Sequence, residues 1–196
     1  ALIEHGMNDA VNKIWYSGPF FRHERPQKGR YRQFHQFGAE LIGIEGYQAD
    51  YEIISLVSYI WMQLNINPTL KINTIGNKDD RKKYIEVLGE YFNKYKNDLS
   101  ENEVKQVQSN PLRILDSKNK NIKEMIEMAP KITKYISKES ILHFDSLLNS
   151  LEIKNISYER DEKLVRGLDY YNRTVFEYID KTLETQNTIC AGGRYD

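Results

Sequence analysis

Apolar residues Ile53, Leu56, Val57, Ile60, Trp61 and Leu64 recur three or four positions apart after Ala49, which predicts an amphipathic helix. Asp50 and Glu52 fall in its first turn, where the helix dipole favours acids. The run is too short and too polar to span a membrane. Asn65 to Pro68 stops it, and Leu70 to Ile75 reads as a strand closed by Gly76-Asn77. Two more helical stripes follow. Tyr84, Val87, Leu88, Tyr91, Phe92 and Tyr95 form one, Ile141, Phe144, Leu147, Leu148 and Leu151 the other; Asn110-Pro111 breaks the chain between them and Ser137 is an N-cap candidate. Beyond Ile153 the two-residue period returns. Thr174, Phe176 and Tyr178 alternate with Val175, Glu177 and Ile179, and a polar turn leads to Thr188-Ile189-Cys190. At the other end, residues 2–12 predict a short helix, and Lys13 to Tyr16 a strand that Ser17-Gly18-Pro19 interrupts. Leu41, Ile42 and Ile44 are strand-like among Gly38, Gly43 and Gly46.

The stretch from Phe20 to Glu40 departs from this background. Arg22, Arg25, Lys28, Arg30 and Arg32 crowd together with Glu24 as the single acid. Pro26-Gln27-Lys28-Gly29 is turn chemistry, because proline fixes φ and glycine permits positive φ, so the stretch predicts a hairpin with a long basic loop. Successive strand side chains point to opposite faces. Phe20, Arg22 and Glu24 therefore share one face, and Phe34, Gln36, Gly38 and Glu40 share another. If pairing joins these faces, a cation, two carboxylates, an amide and a ring meet on one surface. A guanidinium there suits phosphate and charge that develops in phosphoryl or nucleotidyl transfer. Phe34 can stack on a base. A solvated basic hairpin that binds nucleic acid, or nothing, stays open on pattern alone.

Other motifs are dismissed. Gly38 to Gly43 has phosphate-loop spacing, but Ile44 and Glu45 stand where Lys and Ser/Thr are required. His23-Glu24 opens like a zinc-protease motif, yet Gln27 replaces the second histidine, and His5, His23, His35 and His143 predict no metal site. By parity His23 and His35 lie opposite Arg22 and Gln36, in structural roles. Cys190 has no activating base nearby and reads as a small buried residue. Ala191-Gly192-Gly193 after it lets backbone approach a ligand closely.

Composition narrows the picture further. With 196 residues, 40% hydrophobic and 29% charged, and a formal net charge of 0, the chain is an ordinary globular protein whose polyanion affinity must come from local clustering. A single cysteine fits a reducing compartment, and no secretory leader is visible. Ala1 in place of an initiator Met, and the stop after a Gly-Gly turn, suggest a piece of a longer protein. From Asp79 to Ser150 the sequence is rich in Lys, Glu and Asn, with Arg113 the one arginine after Arg81. The expected division is 1–77 as one part of a sheet domain, 78–152 as an inserted helical lobe, and 153–196 as the second part. The lobe's lysines read as a solvated face and its aromatic stripe as core.

Phe21-Arg22-His23-Glu24, the basic loop and Arg30-Tyr31-Arg32-Gln33-Phe34-His35-Gln36 resemble motif 2 of a class II aminoacyl-tRNA synthetase, in detail that of the histidyl-tRNA synthetase family. The run from Leu164 to Glu177, containing Arg166-Gly167-Leu168-Asp169-Tyr170-Tyr171, resembles that family's first signature, and Cys190 to Asp196 its second. The resemblance implies an α+β fold, an antiparallel sheet flanked by helices with a small helical domain inserted. Motif 1, motif 3 and the anticodon-binding domain would lie outside this chain. It implies a cytoplasmic ligase, homodimeric at full length, that activates L-histidine with ATP and Mg2+ and transfers it to tRNA(His). Magnesium is inferred from ATP use alone. By the same resemblance Arg22 and Arg166 are catalytic. Arg22, Glu24, Arg30, Tyr31 and Phe34 bind ATP; Arg22, Gln36, Glu40, Arg166, Tyr170, Tyr171 and Tyr195 bind histidine. The competing class is a non-catalytic relative, a histidine-sensing regulatory subunit or a tRNA-sensing domain. Such relatives typically degrade the ATP-site residues, whereas Arg22, Glu24 and Arg166 are present here.

Overall fold

Strands β1 (Asn12–Phe21) and β2 (Gln33–Ile42) pair antiparallel in one unbroken register, from Asn12↔Ile42 to Phe21↔Gln33. The structure, a computed structural model, describes residues 4–6, 10–23, 25–117, 119–165, 170–184 and 187–195. Ser17-Gly18-Pro19 does not interrupt β1, against expectation. The reason lies in the ladder: the Arg22 amide donates to the Arg32 carbonyl at 2.8 Å, so bonds to β2 fall on even-numbered residues. The N–H that Pro19 lacks would have pointed away from β2, where proline is tolerated. The expected helix over 2–12 is not found in its described part, where 4–6 form a turn and β1 has begun by Asn12.

The chain divides into two compact units. One holds Ala1–Thr69, Ser146–Ser157 and Tyr178–Cys190; the other holds Leu70–Asp145, Tyr158–Glu177 and Ala191–Asp196. In the first, Gly43 (φ 90) ends β2 and α1 spans Tyr47–Gln63, finishing at Asn65 with φ 54. Ile54 is fully buried on α1, but Leu56 and Leu64 of the expected apolar stripe are exposed. The Tyr178 hydroxyl donates to the Ile54 carbonyl at 2.9 Å and lies 2.7 Å from the Ser58 hydroxyl. Burial pushes its pKa well up, so it stays a neutral donor.

The second unit contains β3 (Thr69–Thr74) apart from its first residue, α2 (Lys78–Asn93), α3 (Glu101–Ser109), α4 (Lys123–Glu127) and the first half of α5 (Lys138–Ile153). Strands β4 (Glu159–Arg160), β5 (Tyr171–Ile179) and β6 (Thr188–Tyr195) join β3 in a sheet of order β4-β3-β5-β6. Within this sheet one short pair, β3 with β4, runs parallel. A parallel pair needs a long crossover, and the helices between them supply it. Thr174, Val175, Phe176 and Tyr178 on β5 are all buried, so the expected alternation gives way to a strand covered on both faces. On α2, Tyr84, Leu88 and Phe92 line one stripe and pack with Val107, Ile114, Ile122, Ile132 and Val175. Tyr84 and Phe92 are core residues, as their spacing predicts; Tyr95 is partly exposed. No helix among the described residues is long and apolar enough to cross a membrane.

A buried carboxylate ties this unit together. Asp80 completes the capping box of α2 with Asn77, and it also accepts from the Ser137 amide (2.9 Å) and the Ser137 and Ser140 hydroxyls (3.1 and 2.6 Å). The Ser137 hydroxyl accepts from the Ser140 amide at 3.2 Å, the N-cap expected for α5. Two positive helix ends therefore face one anion. Burial alone would raise the Asp80 pKa; hydrogen bonds from Ser140, Asn77 and Ser137 outweigh it and hold the group below its usual 3.8. Asp80→Ala is expected to cost on the order of 3 kcal/mol in chemical denaturation. Because the folded pKa is depressed, the carboxylate's contribution is full above 3.8 and lost as pH falls through the folded value. Acid melts of Asp80→Ala should lack that component.

Candidate functional site

The β1–β2 register pairs even residues with even residues, so the two faces singled out from parity do coincide. Phe20 lies opposite Phe34, Gly18 opposite Gln36, Tyr16 opposite Gly38 and Ile14 opposite Glu40. The Phe20 and Phe34 rings stack with centroids 6.0 Å apart and planes 28° apart, and Tyr16 adds a third ring 5.7 Å from Phe20. Tyr16 lies before the Phe20 to Glu40 stretch, but the same parity places it on this face. Its ring lies over Gly38, where an added Cβ would stand 2.1 Å from Tyr16 Cζ. Arg22 completes the face. Its guanidinium carbon is 4.2 Å from the Phe34 centroid, and Nε–H donates to the Tyr31 carbonyl at 2.8 Å.

The loop turns one residue later than its proline suggested. Gln27 and Arg30 exchange backbone hydrogen bonds of 3.1 and 2.8 Å around Lys28 and Gly29, which has φ 78. Arg25, Lys28, Tyr31 and Arg32 are exposed and Arg30 is half-buried. Lys28 lies 3.6 Å from Glu184, but both side chains are over four-fifths exposed, and such a pair adds little. The opposite face carries His35, paired with Pro19, and Trp15 stacked on Phe37 at 6.2 Å. Glu24 lies outside the described residues.

The tyrosines expected to hold histidine belong to the second unit. The Tyr170 and Tyr171 rings are 4.6 Å apart, and Tyr195 meets Tyr170 edge-on at 5.9 Å. Arg81 donates to the Tyr171 carbonyl. Arg166, with Gly167, Leu168 and Asp169, lies outside the described residues. Gly192 and Gly193 are within β6 rather than in a turn, and what approaches their backbone is the chain itself. A Cβ on Gly192 would lie 2.5 Å from the Phe176 ring; on Gly193, 2.8 Å from both the Thr174 carbonyl oxygen and the Tyr171 ring. Cys190 is half-buried.

Arg173 was not singled out by its pattern. It sits in β5 at φ 54, donates to Glu139 at 2.5 Å, and lies 3.2 Å from His143 Nδ1. Its backbone bonds to both Ile75 and Gly76, the two-against-one count of a bulge. Its backbone partners lie far away in sequence, so no local signal reveals them. Among the described residues no group of three or more His, Cys, Asp or Glu side chains could hold a metal ion.

A ring, a guanidinium, an amide and a carboxylate thus share one face of a hairpin with a basic loop. Residues 4–196 match the tRNA synthetase class II core domain (G, H, P, S and T), and the chain belongs to that family. Within it, the chain is similar to the histidine--tRNA ligase of Vesicomyosocius okutanii, 50% identical across all of this chain and 47% of that protein. The histidine--tRNA ligase of Ruthia magnifica is 48% identical over the same shares. The chain thus spans about half the length of the curated relatives it matches. Among solved structures, apo S. aureus histidyl-tRNA synthetase superposes on all of this chain, and on 47% of its own, with TM-score 0.76 and 33% identity. An ATP phosphoribosyltransferase regulatory subunit/histidyl-tRNA synthetase from Bacillus halodurans shares the fold, with TM-score 0.64 and 23% identity.

In Gly193→Ala the new Cβ would meet the Thr174 carbonyl oxygen, a backbone atom that cannot swing aside, as well as the Tyr171 ring. The substitution should cost about 1–3 kcal/mol by overpacking, read as a lower thermal midpoint. Gly18→Ala, with nothing within 4 Å of the new Cβ, should melt near wild type.

Proposed function

We propose that this chain is the catalytic region of a histidine-tRNA ligase, which joins L-histidine to ATP as histidyl-adenylate and passes the histidyl group to tRNA(His). In the first step a histidine carboxylate oxygen attacks the α-phosphorus and the bond to pyrophosphate breaks. Such a reaction asks the protein for positioning and charge stabilisation rather than covalent help. Arg22 meets the α-phosphate and the histidine carboxylate with a planar fork of donors. Phe34 stacks on adenine, Glu24 accepts from its amino group, and Tyr31 and Arg30 complete the ATP site, Arg30 on the outer phosphates. Gln36 and Glu40 face the amino acid. Arg166 stabilises the charge on the five-coordinate phosphorus. Tyr170, Tyr171 and Tyr195 line the histidine pocket, where two distinct ring nitrogens need distinct partners. Magnesium accompanies the ATP phosphates.

The observation that carries this reading is the single face on which β1–β2 pairing gathers Arg22, Phe34, Gln36 and Glu40. The similarity to histidine--tRNA ligases over the full chain supports the choice of amino acid. In this reading residues 78–152 are an insertion near the tRNA acceptor arm, and 1–77 with 153–196 form the catalytic core. Motif 1, motif 3 and the anticodon-binding domain belong to the remainder of a homodimeric cytoplasmic enzyme.

ATP-pyrophosphate exchange against the standard amino acids is the test, on this chain and on a full-length protein carrying it. Exchange with histidine alone is expected. Histidine binding with no exchange at full length would instead identify a sensor. In the active protein, Arg22→Ala and Arg166→Ala should each lower histidine-dependent exchange by at least on the order of 10²-fold; a near-normal rate for either removes that residue's assignment.

A further inference from the structure

The Phe34 ring carries a partner from its own chain. Arg22 stands over it at 4.2 Å and is fixed there by Nε–H donation to the Tyr31 carbonyl. Phe20 flanks the same ring at 6.0 Å. A planar guanidinium at this height uses the π surface that a flat purine would use, and both draw on the same ring for attraction. We infer that Arg22 occludes its own base-stacking plate: guanidinium and purine compete for Phe34, and nucleotide binding transfers Arg22 from the ring to a phosphate. The inference rests on the reading above, in which Phe34 stacks adenine and Arg22 meets the α-phosphate.

Competition has a consequence that simple contact does not. A nucleoside must expel Arg22 and offers it nothing in return; a nucleoside triphosphate expels it and supplies the anion that receives it. The chain therefore discriminates against adenosine before any phosphate is read. Tyr31 contributes through its backbone carbonyl, so the parking contact survives any change of the Tyr31 side chain that leaves the loop intact.

Calorimetric titration of a full-length protein carrying this chain with adenosine and, separately, with ATP tests this. In Arg22→Ala, adenosine should bind about two- to fivefold more tightly, the reach of an exposed cation-aromatic contact, while ATP binds more weakly. Arg22→Lys, which keeps the charge but not the planar fork, should shift both ligands in the same directions by less. Circular dichroism melts establish that each variant is folded, and if Arg22→Ala is not, Arg22→Lys decides. Adenosine binding unchanged or weakened in the folded variant, with ATP still bound by wild type, overturns the inference and leaves the reading standing. Failure of wild type to bind ATP overturns both.

Discussion

A strand side chain can face only one of two ways, and the β1–β2 ladder keeps one register from Asn12↔Ile42 through the Arg22 to Arg32 hydrogen bond. Slipping that register by one residue would carry every side chain of one strand to the other face. Arg22 and Phe34 would part, and Trp15 would exchange places with Tyr16. The unbroken pairing is thus what allows residues twelve positions apart in sequence, across a basic loop, to act on one surface. Glycine at 38 and proline at 19 are compatible with it for separate reasons, one leaving room for the Tyr16 ring and the other needing no ladder bond.

The second unit depends on a different interaction. Asp80 receives the first turns of α2 and α5, and its hydrogen bonds overcome the cost of burying a charge. Above it, Tyr84, Leu88 and Phe92 supply the apolar face on which the short helices pack. Local capping and long-range burial therefore meet within α2. That agreement explains how a stretch so rich in Lys, Glu and Asn still has a continuous core.

In the glycine segment of β6, freedom from a side chain serves internal packing. Phe176 and Tyr171 lie against Gly192 and Gly193, so the second signature is fastened to the first by ring-on-backbone contact. The strain at Arg173 sits at the same strand, where Ile75 and Gly76 both bond to one residue. Neither feature has a local signature, because a glycine's neighbour and a residue's backbone partners are set by segments distant in sequence.

The helical stripes on α2 and α5, the Ser137 cap, the basic hairpin and the alternation of its side chains were legible in the sequence, since each rests on short-range periodicity or on a residue's own chemistry. The resemblance of three motifs to one synthetase family was legible for the same reason. Tertiary structure alone decided the uninterrupted β1, the parallel pairing of β3 with β4, the two-sided burial of β5 and the resting place of Arg22 on Phe34. Each is a choice of partner rather than of local conformation: one strand ladder bypasses Pro19, one crossover turns a strand parallel, and one aromatic ring offers the nearest plane for a guanidinium.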